Sequence, residues 1–251
     1  MIILKSPREI NIMREANRIV AEVHARLAEE ISPGITTADI DKLGEELIRK
    51  KGGIPSFKGY RGYPASVCVS INDEVVHGIP SKKRVIESGD VVSLDIGVIY
   101  EGFHGDAART LGVGEVSKEA SRLIEITEQS FFHGIEQAKP GNRLSDISHA
   151  VQNYVEKNGF SVVREYVGHG IGRDMHEDPQ IPNFGPPGRG PLLKEGMTLA
   201  IEPMVNAGGY MVKTLADGWT VVTKDGSLSA HYENTIAVTK DGPVILSCLE
   251  S

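Results

Sequence analysis

Two periods of hydrophobic spacing alternate along the chain. From Ser6 onward Ile12, Met13, Ala16, Ile19, Val20, Val23 and Leu27 recur at three- and four-residue intervals, which predicts an amphipathic helix with one apolar stripe. Ser6-Pro7-Arg8-Glu9 opens it as a capping box with proline at the first helical position, and Ser32-Pro33-Gly34 stops it. A second helix is predicted over 37–50, with Ile40, Leu43, Leu47 and Ile48 inward and Gly52-Gly53 beyond its end. The texture then changes to short β-like runs at 65–71, 91–99 and 103–113. Helical spacing returns over about 117–138, through Leu123, Ile124, Thr127, Phe131, Ile135 and Ala138, and ends at Lys139-Pro140-Gly141. A fourth helix, over about 145–157, carries Ile147, Val151, Tyr154 and Val155 and ends at Asn158-Gly159.

The second block repeats the first. Pro33-Gly34 with Asp39-Ile40 lines up with Pro140-Gly141 and Asp146-Ile147 at an offset of 107. The same offset maps Gly89 onto Gly196 and Asp95 onto Glu202, so each half places a carboxylate six residues after a glycine. His104-Gly-Asp106 resembles His231-Tyr-Glu233 at an offset of 127, which implies about 20 additional residues between 202 and 233. The stretch 112–120 has no Pro/Ser/Gly tract that would mark a linker. The expectation is one catalytic domain over 1–251 with pseudo-symmetric αβ halves at about 1–115 and 116–251.

Candidate chemistry follows from the strands. In Val91-Val-Ser-Leu-Asp95-Ile96, alternation places Asp95 on the face of Val91 and Ser93 and sends Val92, Leu94 and Ile96 to the other. A hairpin through Tyr100-Glu101-Gly102 would set Asp95 roughly opposite Asp106, where two like charges destabilise the pair unless a cation lies between them. Taken alone, the pair also fits a hairpin with one Asp at a solvated edge. Leu199-Ala-Ile-Glu202 and Ala230-His-Tyr-Glu233 repeat the arrangement, and pseudo-twofold packing would gather four carboxylates. Two divalent cations would neutralise such a cluster, and oxygen-rich ligation suits paired Mn, Fe, Co or Zn. A dinuclear metal centre is therefore expected.

The histidines divide by context. His24, His133 and His149 sit in helical patterns and read as surface or core residues, while His104 and His231 share a strand face with Asp106 and Glu233 as neighbours of the cluster or as packing. His77, His169 and His176 lie among glycines that let backbone approach a ligand. Gly170 and Gly172 make a helix there improbable, leaving a loop or short strand. HExxH, GxSxG and the phosphate-binding glycine motifs are absent.

Composition narrows the classes. The 34 acids outnumber the 27 bases, for a formal charge of −7, and no basic run exceeds Lys82-Lys83-Arg84, which argues against a nucleic-acid or membrane-surface binder. Cys68 and Cys248 are too few for a disulfide scaffold, and no apolar stretch reaches spanning length, so a cytoplasmic location is expected.

The words SINDEVVHGIP (70–80), SLDIG (93–97), GFHGDAART (102–110), GHGIGRDMHEDP (168–179), AIEPM (200–204) and HYENT (231–235) together closely resemble the methionine aminopeptidase family, in its short bacterial type I form. The resemblance spans essentially the whole chain. It implies the α+β pita-bread fold, two pseudo-twofold-related αβ halves around a curved antiparallel sheet, and removal of initiator methionine from nascent chains whose second residue is small and uncharged. It further implies Asp95 on one metal, His169 and Glu202 on the other, and Asp106 and Glu233 bridging both, with a water or hydroxide between the metals as nucleophile. Glu202 would also shuttle the proton, His176 would bond the scissile carbonyl and its oxyanion, and His77 would contact the scissile amide. Tyr60, Tyr63, Cys68 and Trp219 would wall the methionine pocket. Its partners would be N-terminal Met peptides, with transient ribosome contact, no membrane and no specific nucleic acid, and the family implies a monomer. Phe57, Arg61 and Met175 depart from the family's common residues, which touches the pocket's shape rather than the reaction. The alternatives are a prolidase or aminopeptidase P type enzyme, or a pita-bread protein that binds without catalysis.

Overall fold

Alternating helical and strand segments fold as two successive αβ blocks in the computed structural model, which describes residues 1–249. The first comprises α1 (Pro7–Glu30), α2 (Thr37–Lys50), β1 (Ile54–Pro55), β2 (Val67–Ile71), β3 (Glu74–Val76), β4 (Val91–Tyr100) and β5 (Phe103–Gly112). The second opens with α3 (Lys118–Ile135), α4 (Leu144–Lys157), β6 (Ser161–Val162), β7 (Gly168–Gly170), β8 (Glu177–Ile181) and β9 (Thr198–Ile201). It continues through β10 (Met204–Asn206), β11 (Val212–Thr214), β12 (Val221–Thr223) and β13 (Ser229–His231) to β14 (Glu233–Thr239) and β15 (Gly242–Ile245).

The helix starts obey local chemistry. Ser6 Oγ accepts from the Glu9 N–H and Glu9 Oε2 from the Ser6 N–H, at 3.4 and 2.9 Å, and Thr36 with Asp39 repeats the reciprocal cap at α2. At its far end α3 stops at Ile135, three residues short of the expected Ala138. There the N–H groups of Gln137 and Ala138 turn back to the carbonyls of Gly134 and Ile135, a 3₁₀-type tightening.

A curled nine-stranded antiparallel sheet runs β1-β4-β5-β14-β9-β7-β8, with β2 also on β4 and β15 on β14. One face of β4, through Val92, Leu94, Ile96 and Val98, joins Ile19, Val20, Val23 and Leu27 of α1 and Ile40 and Ile48 of α2 in a buried cluster. Asp95 therefore points to the other face. Ile236 and Val238 of β14 pack with Phe131 and Ile147 in the second block's counterpart.

The halves repeat each other in their hydrogen bonds. The Gly34 N–H reaches the Ile86 carbonyl at 2.8 Å and Gly141 reaches Leu193 at 3.1 Å; Thr37 reaches Arg84 at 2.9 Å and Leu144 reaches Pro191 at 3.0 Å. Each partner lies 107 residues from its counterpart. The additional residues of the second half form β10–β13, which build two three-stranded sheets, β13-β10-β6 and β11-β12-β3.

One expected register is corrected. The β4–β5 turn is the two residues Glu101-Gly102, both at positive φ (47° and 78°), so Tyr100 pairs with Phe103, Gly97 with Asp106, and Asp95 with Ala108. Asp95 and Asp106 are diagonal neighbours on one face rather than opposed. This separation relieves part of the like-charge repulsion while keeping both carboxylates on one surface.

Candidate metal centre

Sheet register builds the site. Asp95, Ala108 and Glu233 form one row across β4, β5 and β14. In the adjoining row Gly97 pairs with Asp106, and Thr235, Ala200 and His169 are paired across β14, β9 and β7. The two sets are joined where the Asp106 N–H donates to Thr235 Oγ1 at 3.2 Å and that hydroxyl donates to the Asp106 carbonyl at 2.9 Å. Glu202 follows the last residue of β9. Between Asp95 and Glu233 the first row carries only the Ala108 methyl group, and at Gly97 a Cβ would overlap Ser56 Cβ and the Phe57 ring.

One ligand atom from each of Asp106, His169 and Glu233 lies within 4.8 Å of the others. His169 Nε2 is 3.7 Å from Asp106 Oδ2 and 3.6 Å from Glu202 Oε1, too long for hydrogen bonds yet convergent. Among the described residues, Asp95 Oδ1, Asp106 Oδ1 and Glu233 Oε1 are buried without a hydrogen-bond partner. Orphaned carboxylate oxygens converging on one point are costly unless a cation satisfies them, so the donor set fits a hard or borderline divalent metal.

The electrostatics agree. Burial, ahead of any other cause, pushes the Asp95 carboxyl up to about 7. Burial and then repulsion from neighbouring carboxylates push Asp106, Glu202 and Glu233 well above the usual range, Glu233 and Asp95 being the leading neighbours. Burial holds His169 down at about 3, so its ring is neutral. The Nδ1–H donates to the Gly170 carbonyl at 2.9 Å, which leaves the Nε2 lone pair facing the carboxylates. Glycines flank His169 by necessity: a Cβ on Gly168 would overlap the Ala200 carbonyl oxygen, and one on Gly170 the Asp178 carbonyl oxygen.

Every site residue expected from the sequence lines a single cavity of about 160 Å³: Tyr60, Tyr63, Cys68, His77, Asp95, Asp106, His169, His176, Glu202, Trp219 and Glu233. Phe57, Arg61 and Met175, singled out only as departures from the family pattern, line it too. Tyr63 and Trp219 meet edge to face with ring centres 5.2 Å apart, and the Tyr63 hydroxyl donates to the Gly78 carbonyl at 2.8 Å. His77, at φ 61°, sits 6.2 Å from the Trp219 ring, and burial lowers it to about 4. His176 stacks on Tyr60 at 5.4 Å, with Tyr60 Oη 2.9 Å from its Nδ1, and lies 4.3 Å from the His169 ring. Partial burial and then the Arg61 guanidinium lower its pKa.

The remaining histidines separate. His231 Nε2 is 3.9 Å from carboxylate oxygens of both Glu202 and Glu233, beside the cluster. His104 instead pairs with Ser56 Oγ at 2.9 Å. His24 bonds the Ala107 carbonyl at 2.8 Å from the helical side.

Sequence reasoning missed the groups behind the cluster. Asn17 Oδ1 accepts from the Asp106 N–H at 3.2 Å while its amide donates to the Met13 carbonyl at 2.8 Å; an asparagine on the apolar stripe of α1 was the available signal. Arg109 bonds the Glu233 carbonyl, Asn234 Oδ1 at 2.6 Å and the Ser247 carbonyl at 3.1 Å, tying β5, β14 and the end of the chain together.

The known proteins that this chain resembles are metallopeptidases. Residues 11–240 match Metallopeptidase family M24. A methionine aminopeptidase of Clostridium acetobutylicum is 60% identical over 250 residues, covering 100% of both chains. The crystal structure of the Thermotoga maritima methionine aminopeptidase superposes with a TM-score of 0.98 at 48% identity, over 99% of this chain and 100% of that one. The prolidase of Pyrococcus horikoshii shares the fold, with a TM-score of 0.81 at 26% identity, but this chain spans only 64% of its length. Both the full-length relatives and the fold therefore place the chain in Metallopeptidase family M24 and, within it, among the methionine aminopeptidases.

Proposed function

We propose that this chain hydrolyses the first peptide bond of polypeptides that begin with methionine and carry a small, uncharged second residue. The observation that supports this best is the buried cluster of four carboxylates and a neutral His169 at the floor of a cavity with polarizable and aromatic walls. Asp95, Asp106, His169, Glu202 and Glu233 would hold two divalent cations, Co, Mn, Fe or Zn, with the whole chain acting as one catalytic domain. Such a pair supplies Lewis acidity and a water acidic enough to act as nucleophile at neutral pH.

The chain's own residues do the rest. Glu202, at the edge of the acidic cluster beside the bound substrate, accepts a proton from the attacking water and returns it to the departing amine. Tyr60 Oη lies 2.9 Å from His176 Nδ1; with the phenol as donor there, His176 carries its proton on Nε2 and donates it to the scissile carbonyl and the oxyanion that develops there. His77 contacts the scissile amide. Tyr63, Cys68 and Trp219, with Tyr60, enclose the thioether side chain, for which soft aromatic walls are well suited. The substrate's free amino group binds against the acidic floor, which accounts for exopeptidase rather than endopeptidase action.

The same reading places the enzyme on nascent chains in the cytoplasm, as a monomer with transient ribosome contact. Two free cysteines support a reducing compartment. No helix among the described residues is long and apolar enough to cross a membrane.

Incubation with Met-Ala-Ser peptide tests the proposal. Turnover is expected to stop on chelation and return with Co, Mn, Fe or Zn. Turnover indifferent to thorough metal removal, absence of turnover with all four metals, or preferential cleavage of an Xaa-Pro dipeptide would overturn it.

A further inference from the structure

A buried ion pair that the cavity does not use joins the segment before α1 to the loop that carries His176. Lys5 Nζ donates to Glu177 Oε2 and, at 3.1 Å, to the Ile3 carbonyl, and the two side chains are only 4% and 5% exposed. Taking two charges out of water can cost more than their attraction returns, so stability alone is a weak reason to keep such a pair.

Its surroundings give a stronger one. Glu177 Oε1 accepts from the N–H groups of Arg173 and Asp174, at 2.9 and 3.4 Å, and so folds the loop 172–177 around its own carboxylate. The Gly172 N–H closes a turn to the Asp174 carbonyl at 3.1 Å, while its carbonyl accepts from the His104 N–H at 2.8 Å. A Cβ on Gly172 would overlap both Glu177 Oε1 and the Lys5 side chain, so the ion pair lies directly on that backbone. On the other side the Lys5 N–H donates to the Gly196 carbonyl at 2.7 Å. A Cβ on Gly196, at φ 87°, would fall 2.8 Å from the Lys5 carbonyl oxygen. Lys5 is thus wedged between two glycines, one opening the His176 loop and the other leading into β9 and Glu202. The loop it fastens holds Met175 and His176, both of which line the cavity.

We propose that Lys5 and Glu177 are positioning residues for the peptidase reaction: their buried pair sets the loop 172–177 and thereby aims His176, with Met175, at the bound substrate. This rests on the reading of His176 as the donor to the scissile carbonyl, and it adds the group that fixes the donor's placement.

Two double substitutions test it, both chosen to avoid leaving one buried charge unpaired. Lys5→Met with Glu177→Leu removes the charges and the acceptor for the Arg173 and Asp174 N–H groups. Lys5→Met with Glu177→Gln removes the charges but retains an amide oxygen as acceptor. Expected for the Leu pair is a kcat on Met-Ala-Ser lowered roughly 10- to 100-fold by misplacement of His176, with KM changed less than about threefold. Cation affinity of the metal-free protein, measured calorimetrically with Mn, should stay within about twofold, and amide exchange at 173 and 174 should accelerate. The Gln pair should recover most of kcat. A purely structural role predicts the opposite order, because the apolar pair is the better packed. Unchanged kcat in a folded Leu pair, unchanged exchange at 173 and 174, or a kcat loss matched by weakened cation binding would overturn the proposal. His176→Ala serves as the reference. If it leaves kcat intact, the reading of His176 fails, while the exchange measurement still decides whether the pair holds the loop.

Discussion

The two halves bury equivalent positions but expose different chemistry. Thr37, Ile40, Gly44 and Ile48 of α2 are buried at the positions where α4 buries Leu144, Ile147, Val151 and Val155, and Ile19 and Val20 of α1 correspond to Ile126 and Thr127 of α3. On the sheet, the first half presents the shorter acids Asp95 and Asp106 from inside a continuous hairpin of ten-residue strands. The second presents the longer acids Glu202 and Glu233 just beyond the end of β9 and at the start of β14, where the extra methylene lets each reach inward from a strand end. The duplicated scaffold supplies the acidic floor from both sides. Of the residues around it, His77 and His176 hold corresponding places, since Ser70 and His169 pair with the repeat-related Ser93 and Ala200 and each of these histidines lies seven residues further on, whereas Tyr60 and Tyr63 come from the first half alone and Trp219 from the additional residues of the second. Charge and the flanking histidines thus belong to the repeat, and the aromatic walls to what the repeat does not share.

If the floor is shared equally, removing one acid from either half should be equally damaging. Asp106→Ala and Glu233→Ala are each expected to lower kcat/KM on Met-Ala-Ser more than about 100-fold, exceeding the usual effect of groups that only support a ligand, whereas Cys68→Ala should stay within about tenfold. A mild effect confined to one half would break the comparison.

Metal should also join the halves, with a pH dependence of definite sign. Burial raises the four carboxyl groups above their unfolded values, Asp95 to about 7, so without metal the fold binds protons that the unfolded chain releases. Each such group then costs stability as pH rises through that window, up to about 1.4 kcal/mol per pH unit. Cations displace those protons, so the rise in Tm on adding Mn should grow between pH 5 and pH 8. A pH-independent increment would show that the carboxylates do not act as one cluster.

The smallest effect separates the helices. His24 of α1 occupies the place of Phe131 in α3, and burial lowers it to about 3. The unfolded chain protonates this ring first as pH falls below about 6.5, so stability is lost toward acid, by at most about 1.4 kcal/mol per unit. His24→Gln should flatten the urea-midpoint profile between pH 6.5 and 5 relative to the parent chain. Parallel profiles would remove His24 as a source of acid sensitivity.

Much of this was written locally in the chain. The four helices follow from spacing and caps, because a 3.6-residue stripe and a reciprocal Ser6–Glu9 bond depend only on near neighbours. The offset of 107 marked the duplication, and four acids on recurring strand words marked a cation site, because like charges in apolar strands demand compensation. Tertiary structure decided what depends on register and distant packing. The two-residue turn at Glu101-Gly102 set Asp95 beside Ala108 rather than opposite Asp106, a choice made by backbone twist rather than by the apolar pattern, which is the same for both registers' parity. The support of Asp106 by Asn17 and Thr235, and the wedge of Lys5 between Gly172 and Gly196, join residues more than 80 positions apart. Their pairing has no sequence period to announce it, since it arises only when separate elements are brought together around one core.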